Sequence, residues 1–356
     1  MSSEAFTNFA LAFLSILLEG APFILLGTVF SGFLGVYLPS GAMEKILPKN
    51  KTAAILISGL LGLILPVCEC AVVPVIRRLV AKGLPLSCAL TYMLAAPIVN
   101  PITLLSTWNA FPDLETFPDR TAFFTWSRLG LGYLSAIIVG LLVLRIPFDK
   151  ILKPHILKKP ERSAEHQLRT NHNHDHQDTH HHSSCDHHHD AEHSHHHESE
   201  SQLHEHVVSK ETQQSLNRLV LAMRAALKDF TDVGVYFTIG VIITALFNVG
   251  IAPGAEWLES MEGSTFAQTS AFMLLAFLLS LCSTSDAFIA ATLAPPPGAR
   301  TAARLAFLVF GPMMDVKLIF LYSTLMKPKF IASLALGLFL FIGLTAIAWT
   351  TLMAPV

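Results

Sequence analysis

Six apolar runs limit what this chain can fold into: 6–38, 86–107, 122–144, 233–249, 305–325 and 330–353. Each is close to or longer than the about 20 residues a helix needs to cross a hydrocarbon core. Two more, 53–79 and 266–293, are apolar but interrupted. Hydrophobic residues make up 52% of the 356 and charged residues 14%. Mean hydropathy is +0.51, although that mean includes a long, very polar insert. The expected fold is an all-α polytopic membrane protein of about eight apolar segments, two of them interrupted or re-entrant. No basic stretch precedes the first run, which contains Glu19 and Pro22, so it reads as a retained span and not a cleaved signal. The net charge of −2 does not identify a partner. The lipid bilayer is expected as one, and nucleic acid is not.

The first interrupted run contains Pro66-Val-Cys-Glu-Cys-Ala-Val-Val-Pro74, with Glu69 between the thiols of Cys68 and Cys70. A charge near the bilayer centre costs about 2.5–3.5 kcal/mol even on the lenient insertion scale, so an intramembrane acid marks a candidate functional site. Prolines at both ends disfavour helix between them, and unwound backbone survives in a membrane only where protein or water surrounds it. Thiolates suit copper(I), zinc and similar thiophilic ions. Four of the five cysteines lie in apolar segments, which does not resemble an extracytoplasmic disulfide framework.

The chain carries a hidden repeat. Glu19 to Gly27 has the acid-to-glycine spacing of Asp232 to Gly240, Cys68 finds a counterpart in Cys282, and Ala96-Pro-Ile-Val-Asn100 matches Gly311-Pro-Met-Met-Asp315, at offsets of 213, 214 and 215 residues. The expected organisation is a first membrane repeat at 1–150, a disordered cytoplasmic His-rich loop at 151–214 and a second repeat at 215–356. Basic residues orient it. Lys45, Lys49 and Lys51 precede the first interrupted run and Arg77, Arg78 and Lys82 follow its centre, so both its ends face the cytoplasm and it turns back as a hairpin. Acidic loops around Asp113 and Glu256 then lie outside and Lys327 inside, which makes the halves inverted. Arg300 and Arg304 fit this scheme badly, and a parse into eight full spans with parallel halves stays open. Inverted repeats with matching interrupted segments point to a secondary transporter with its substrate site near the midplane.

All 17 histidines fall between His155 and His206. The densest part includes His180, His181, His182, Cys185, His187, His188, His189, His195, His196 and His197, mixed with acids. Such a tract has no pattern for a packed core and binds zinc, copper or nickel without fixed geometry. Its expected role is to gather or sense Zn2+ or Cu+. No bound cofactor is expected beyond such ions. After it, 216–230 reads as an amphipathic interfacial helix leading into the next span.

Cys68-Glu-Cys-Ala-Val-Val-Pro-Val, the run from Ala96 to Pro101, and Cys282-Ser-Thr-Ser-Asp-Ala-Phe-Ile together resemble the predicted permease family that includes the organoarsenical efflux permease ArsP. The similarity covers both membrane halves. It implies a bacterial inner-membrane protein, and the His-rich insert resembles a subgroup regarded as copper/zinc efflux transporters.

The resulting expectation is a secondary active efflux permease exporting a thiophilic metal ion, copper or zinc, by exchange with protons. Export of trivalent arsenic or organoarsenicals is the alternative, and a membrane-anchored metal buffer or sensor is a reading of another class. An enzyme is not expected, because every histidine lies in the loop and no His-Glu-x-x-His motif is present. No phosphate-binding Gly-x-x-x-x-Gly-Lys pattern exists either. Candidate translocation residues are Cys68, Glu69, Cys70, Asn100, Cys282, Ser285, Asp286 and Asp315, with Glu19 and Asp232 as proton-relay candidates. Asn100 could instead serve an interhelical hydrogen bond, and Asp315 could simply pair with Lys317. Whether the protein forms a homo-oligomer is left open.

Overall fold

The computed structural model describes residues 3–39, 43, 47–65, 67–112, 119–152, 200–251, 264–293 and 300–353. The histidine cluster, Cys185, Pro66 and the acidic loops around Asp113 and Glu256 lie outside the described residues. Among those described there is no strand, and six helical stretches are long and apolar enough to cross a membrane. Two shorter apolar helices, Lys51–Ile64 and Thr265–Leu279, fall where the interrupted runs were expected.

The chain opens with α1 (Ser3–Tyr37), then α2 (Lys51–Ile64), α3 (Val72–Ala81), α4 (Leu86–Val99), α5 (Pro101–Ala110), α6 (Arg120–Val143) and the short α7 (Phe148–Ile151). After the insert come α8 (Glu200–Ile251), α9 (Thr265–Leu279), α10 (Asp286–Thr292), α11 (Arg300–Met313), α12 (Val316–Ser323) and α13 (Pro328–Met353). Local chemistry sets the boundaries. Asn50 and Ser264 cap α2 and α9 by accepting from backbone N–H groups of their first turns, as short polar side chains at that position do. Pro74 does not extend the first break. It sits in the first turn of α3, where its missing N–H has no helical partner to lose, so the unwound stretch ends at Ala71.

The run 216–230 is helical and leads into the next span, as its pattern suggests. It is continuous with the following span inside α8, because it consists largely of strong helix formers and has no glycine or proline to stop it. The same helix starts at Glu200, inside the segment that composition assigns to the polar insert.

Helix ends sort into two groups. Lys51 at the start of α2, Gly83 after α3, and Leu144 and Ile146 after α6 line one cavity. The Lys327 N–H donates to Ile151 O at 2.9 Å, Leu152 pairs with Met326, and the Arg77 guanidinium donates to Thr324 O at 3.3 Å. The end of α12 and the start of α13 therefore share this basal end. Since α2 starts there and α3 finishes there, the two form a hairpin rooted at one end. At the far end, Thr121 Oγ1 in α6 donates to Phe111 O just after α5. There Arg304 donates to the carbonyls of Ala291 and Leu293 at the finish of α10. Arg120 lies over the Phe111 ring, 5.3 Å from its centroid. Of the two arginines that fit the charge scheme badly, Arg304 thus caps a helix end, while Arg120 nearby covers aromatic rings.

Every residue of α4 is buried, as is most of α11. Leucines and aromatics of α1, α8 and α13 stay exposed, among them Leu26, Leu246, Leu336 and Leu344. A contiguous apolar exterior of this kind needs lipid to cover it. Arg78 of α3 pairs with Asp229 of α8 at 2.9 Å, and Ser31 of α1 donates to Pro74 O at 2.9 Å, holding the hairpin between α1 and α8.

Candidate functional site

The two breaks form turns of the same pattern. Cys68 O accepts from the N–H groups of Ala71 and Val72, and Cys282 O accepts from those of Ser285 and Asp286. Each turn precedes a short helix, α3 or α10. The tips meet. Ser283 Oγ donates to Glu69 Oε2 at 3.0 Å, and both residues are buried. Beneath them the next pair of segments is broken as well. Asn100 caps α5 by accepting from Ile102 N–H at 3.0 Å, and Pro101 takes the first helical position, where its lost N–H costs nothing. Asp315 caps α12 by accepting from Leu318 N–H at 2.6 Å.

Five buried charges surround this junction. The other oxygen of Glu69, Oε1, lies 3.4 Å from Lys317 Nζ, which is 3.5 Å from Asp315 Oδ2. Lys317 also donates to the carbonyls of Ser280 at 2.8 Å and Leu281 at 3.1 Å. On the other side of the second tip, Arg128 of α6 pairs with Asp286 at 2.6 Å and donates to Thr107 Oγ1 at 2.8 Å and Ser283 O at 3.1 Å. Ser283 therefore touches both pairs, giving its hydroxyl proton to Glu69 and its carbonyl to Arg128. Three acids face two bases, so a formal negative charge is left over. Ser285 Oγ extends the set by donating to Glu19 Oε1 at 3.3 Å.

Between the tips lies a cavity of ≈ 20 Å³ lined by Glu19, Cys68, Glu69, Cys70, Cys282 and Lys317, with Phe23 and Phe237 beside them. That is about the room of one water molecule. The expected residues are thus partly gathered. Glu19, Cys68, Glu69, Cys70 and Cys282 share the cavity, while Ser285 reaches it through Glu19. Asp286 is committed to Arg128, Asp315 to Lys317 and a helix cap, and Asn100 to a helix cap. Asp232 is exposed and does not line the cavity. Among the described residues no group of three or more His, Cys, Asp or Glu side chains is placed to hold a metal ion. Arg128 is absent from the sequence candidates, and Lys317 figures there only as a partner for Asp315. The signal for both was available, since each is a charge inside an otherwise apolar run.

Two glycines let helices close on this junction. A side chain at Gly27 of α1 would meet the backbone of Ala71, and one at Gly240 of α8 would come 2.8 Å from Lys317 Cα.

No solved structure matches the chain. It is 32% identical over 319 residues to a Streptococcus mutans protein named as a subunit of a two-component membrane permease complex, a match covering 90% of this chain and 87% of that one. It is 31% identical over 334 residues to the UPF0718 protein YcgR of Bacillus subtilis, covering 93% and 92%. Buried ion pairs at the meeting point of two broken segments, inside a helix bundle with an apolar exterior, suit a membrane permease, and the model of the predicted permease family ArsP_1 matches residues 5–350. The chain belongs to that family.

Proposed function

We propose that this permease exports a thiophilic cation, copper(I) or zinc, from the bacterial cytoplasm, and that the cargo crosses at the junction of the two hairpin tips. The observation that carries this reading is the lining of the inter-tip cavity, where three thiols and the carboxylate of Glu69 share one space. Soft sulfur ligands select soft ions, and the uncompensated negative charge of the surrounding cluster favours a positive cargo. The sulfurs are not gathered for coordination, so the cargo must part the tips and displace Lys317 from Glu69 as it enters.

The halves are read as inverted duplicates. Support comes from the matching turns at Cys68 and Cys282, the matching caps at Asn100 and Asp315, and the contact between Glu69 and Ser283, which are 214 positions apart, the same separation as the two cysteines. The basal end carries Lys51, Arg77, Arg78, Arg145, Lys150 and Lys327, which favours the cytoplasmic side for it. The histidine-rich insert leaves from Leu152 at that end and would collect ions on the side from which export starts. A second protein component belongs to this reading as well, on the strength of the Streptococcus relative's name.

Accumulation of copper(I), zinc and arsenite in everted membrane vesicles, with and without a proton gradient, tests the reading. Uptake of copper or zinc that collapses with the gradient is expected. Uptake of arsenite alone would replace the metal cargo by the arsenical one, and no uptake of any of the three would remove the efflux reading. Buffering is tested separately. If Cys68→Ser with Cys70→Ser leaves metal tolerance intact while removal of residues 166–206 abolishes it, the insert acts as a buffer and the junction does not carry the metal.

A further inference from the structure

Lys317 occupies a position its own helix disfavours. It lies in the first turn of α12, directly after Asp315 and Val316, where the helix dipole is positive and cations are unfavourable. Its side chain leaves that turn and ends among four oxygens of other groups: Ser280 O at 2.8 Å, Leu281 O at 3.1 Å, Glu69 Oε1 at 3.4 Å and Asp315 Oδ2 at 3.5 Å. The two carbonyls are available because α9 has ended. Ser280 adopts the left-handed conformation with φ 48°, and the tip that follows has no helical partners for them. Ser280 also fixes the geometry from below, its hydroxyl accepting from Val316 N–H at 3.1 Å.

Two carbonyls at the broken end of a half-helix, together with two carboxylates, form an oxygen cage of the kind that holds a coupling cation in transporters with discontinuous helices. We propose that this cage is a cation site and that the Lys317 ammonium is its tethered occupant, standing where other permeases would need a free monovalent cation. The inference rests on reading the junction as the translocation site, and it adds that the empty permease supplies the cation between Glu69 and Asp315 from its own chain, without sodium. Cargo exchanges with a charge the protein carries itself, so transport is sodium-independent.

Truncation to alanine opens the site to free ions. Lys317→Ala removes Cγ, Cδ, Cε and Nζ, and n-propylammonium has the same heavy atoms. The test is thermal unfolding of the full chain in detergent, wild type against Lys317→Ala. Each is measured in choline chloride and then in sodium, potassium or n-propylammonium chloride at equal ionic strength. The trimethylammonium head of choline is too bulky for the space between the tips.

The expected result is a lowered Tm for Lys317→Ala in choline, with a recovery of about 2 °C at ten times the Kd of sodium or propylammonium. The wild type should shift by less than about 1 °C under the same exchange. A lowered Tm that no cation restores would mean that Lys317 is only a structural counter-charge, and an unchanged Tm would mean that the cage does not need a cation at all. Either overturns the proposal. Should the single variant fail to fold, Glu69→Gln with Lys317→Ala loses one charge of each sign and keeps Asp315 and both carbonyls. A cation-specific rise there supports the site, and a flat response overturns it. Unfolding reads the empty protein, so failure of metal transport leaves this result standing, and a flat Tm leaves the export reading untouched.

Discussion

Glu69 and Asp286 face the same difficulty, a carboxylate removed from water, and meet it in different ways. Asp286 is paired with Arg128 at 2.6 Å, and both side chains are almost wholly buried. Removing one partner of a buried pair typically costs about 3–5 kcal/mol, because the other is left uncompensated. Arg128→Met is therefore predicted to destabilise the protein by about that amount, while Arg128→Met combined with Asp286→Leu recovers most of it. Unfolding of both variants in detergent checks this, and equal destabilisation by the single and the double variant would refute it. Glu69 is held more loosely, 3.4 Å from Lys317, as suits a group that must change partner. The sequence makes Glu69 and its flanking thiols visible because an acid in an apolar run is conspicuous. It does not make the pairing visible, since Arg128 and Asp286 are 158 positions apart and Glu69 and Lys317 are 248 apart. Nothing local says which cation finds which acid.

Elements were legible where hydrophobic length decides them and less so where a boundary depends on packing. The apolar runs read from the chain return as helices or broken helices, because span length is fixed by the bilayer. The run 216–230, read as a helix leading into the next span, is continuous with it, but α8 already starts at Glu200, inside the segment read as polar insert, a boundary that composition does not mark. The acid-to-glycine repeat had a physical meaning that spacing alone could not supply. Gly27 and Gly240 are the points where α1 and α8 touch the broken segments. Gly240→Ala is predicted to cost about 1–3 kcal/mol by forcing α8 from the start of α12, with a matching fall in Tm. Gly234→Ala, with nothing within 4 Å of the added carbon, should be neutral or slightly stabilising. If the two substitutions behave alike, the close approach at Lys317 is not real.

For the whole molecule, the decisive feature is that the breaks of two interrupted segments lie inside the bundle and touch. Single cysteines introduced at Lys51 and Gly83, in a background with the native thiols removed, are predicted to label from the same side of the membrane, and one at Leu293 from the other. Labelling of positions 51 and 83 from opposite sides would mean that the run between them spans the bilayer. The histidine-rich insert was legible only as composition, and its part in the function is tested by its deletion. The claim on which the rest depends is that cargo passes Glu69. Glu69→Gln keeps the size and the acceptor for Ser283 but removes the charge opposite Lys317. Copper and zinc flux in everted vesicles, at matched protein level, should fall at least tenfold in Glu69→Gln and stay within about twofold of wild type in Arg78→Gln, whose side chain lies away from the cavity; a tenfold loss corresponds to about 1.4 kcal/mol. Wild-type flux through Glu69→Gln would contradict the account.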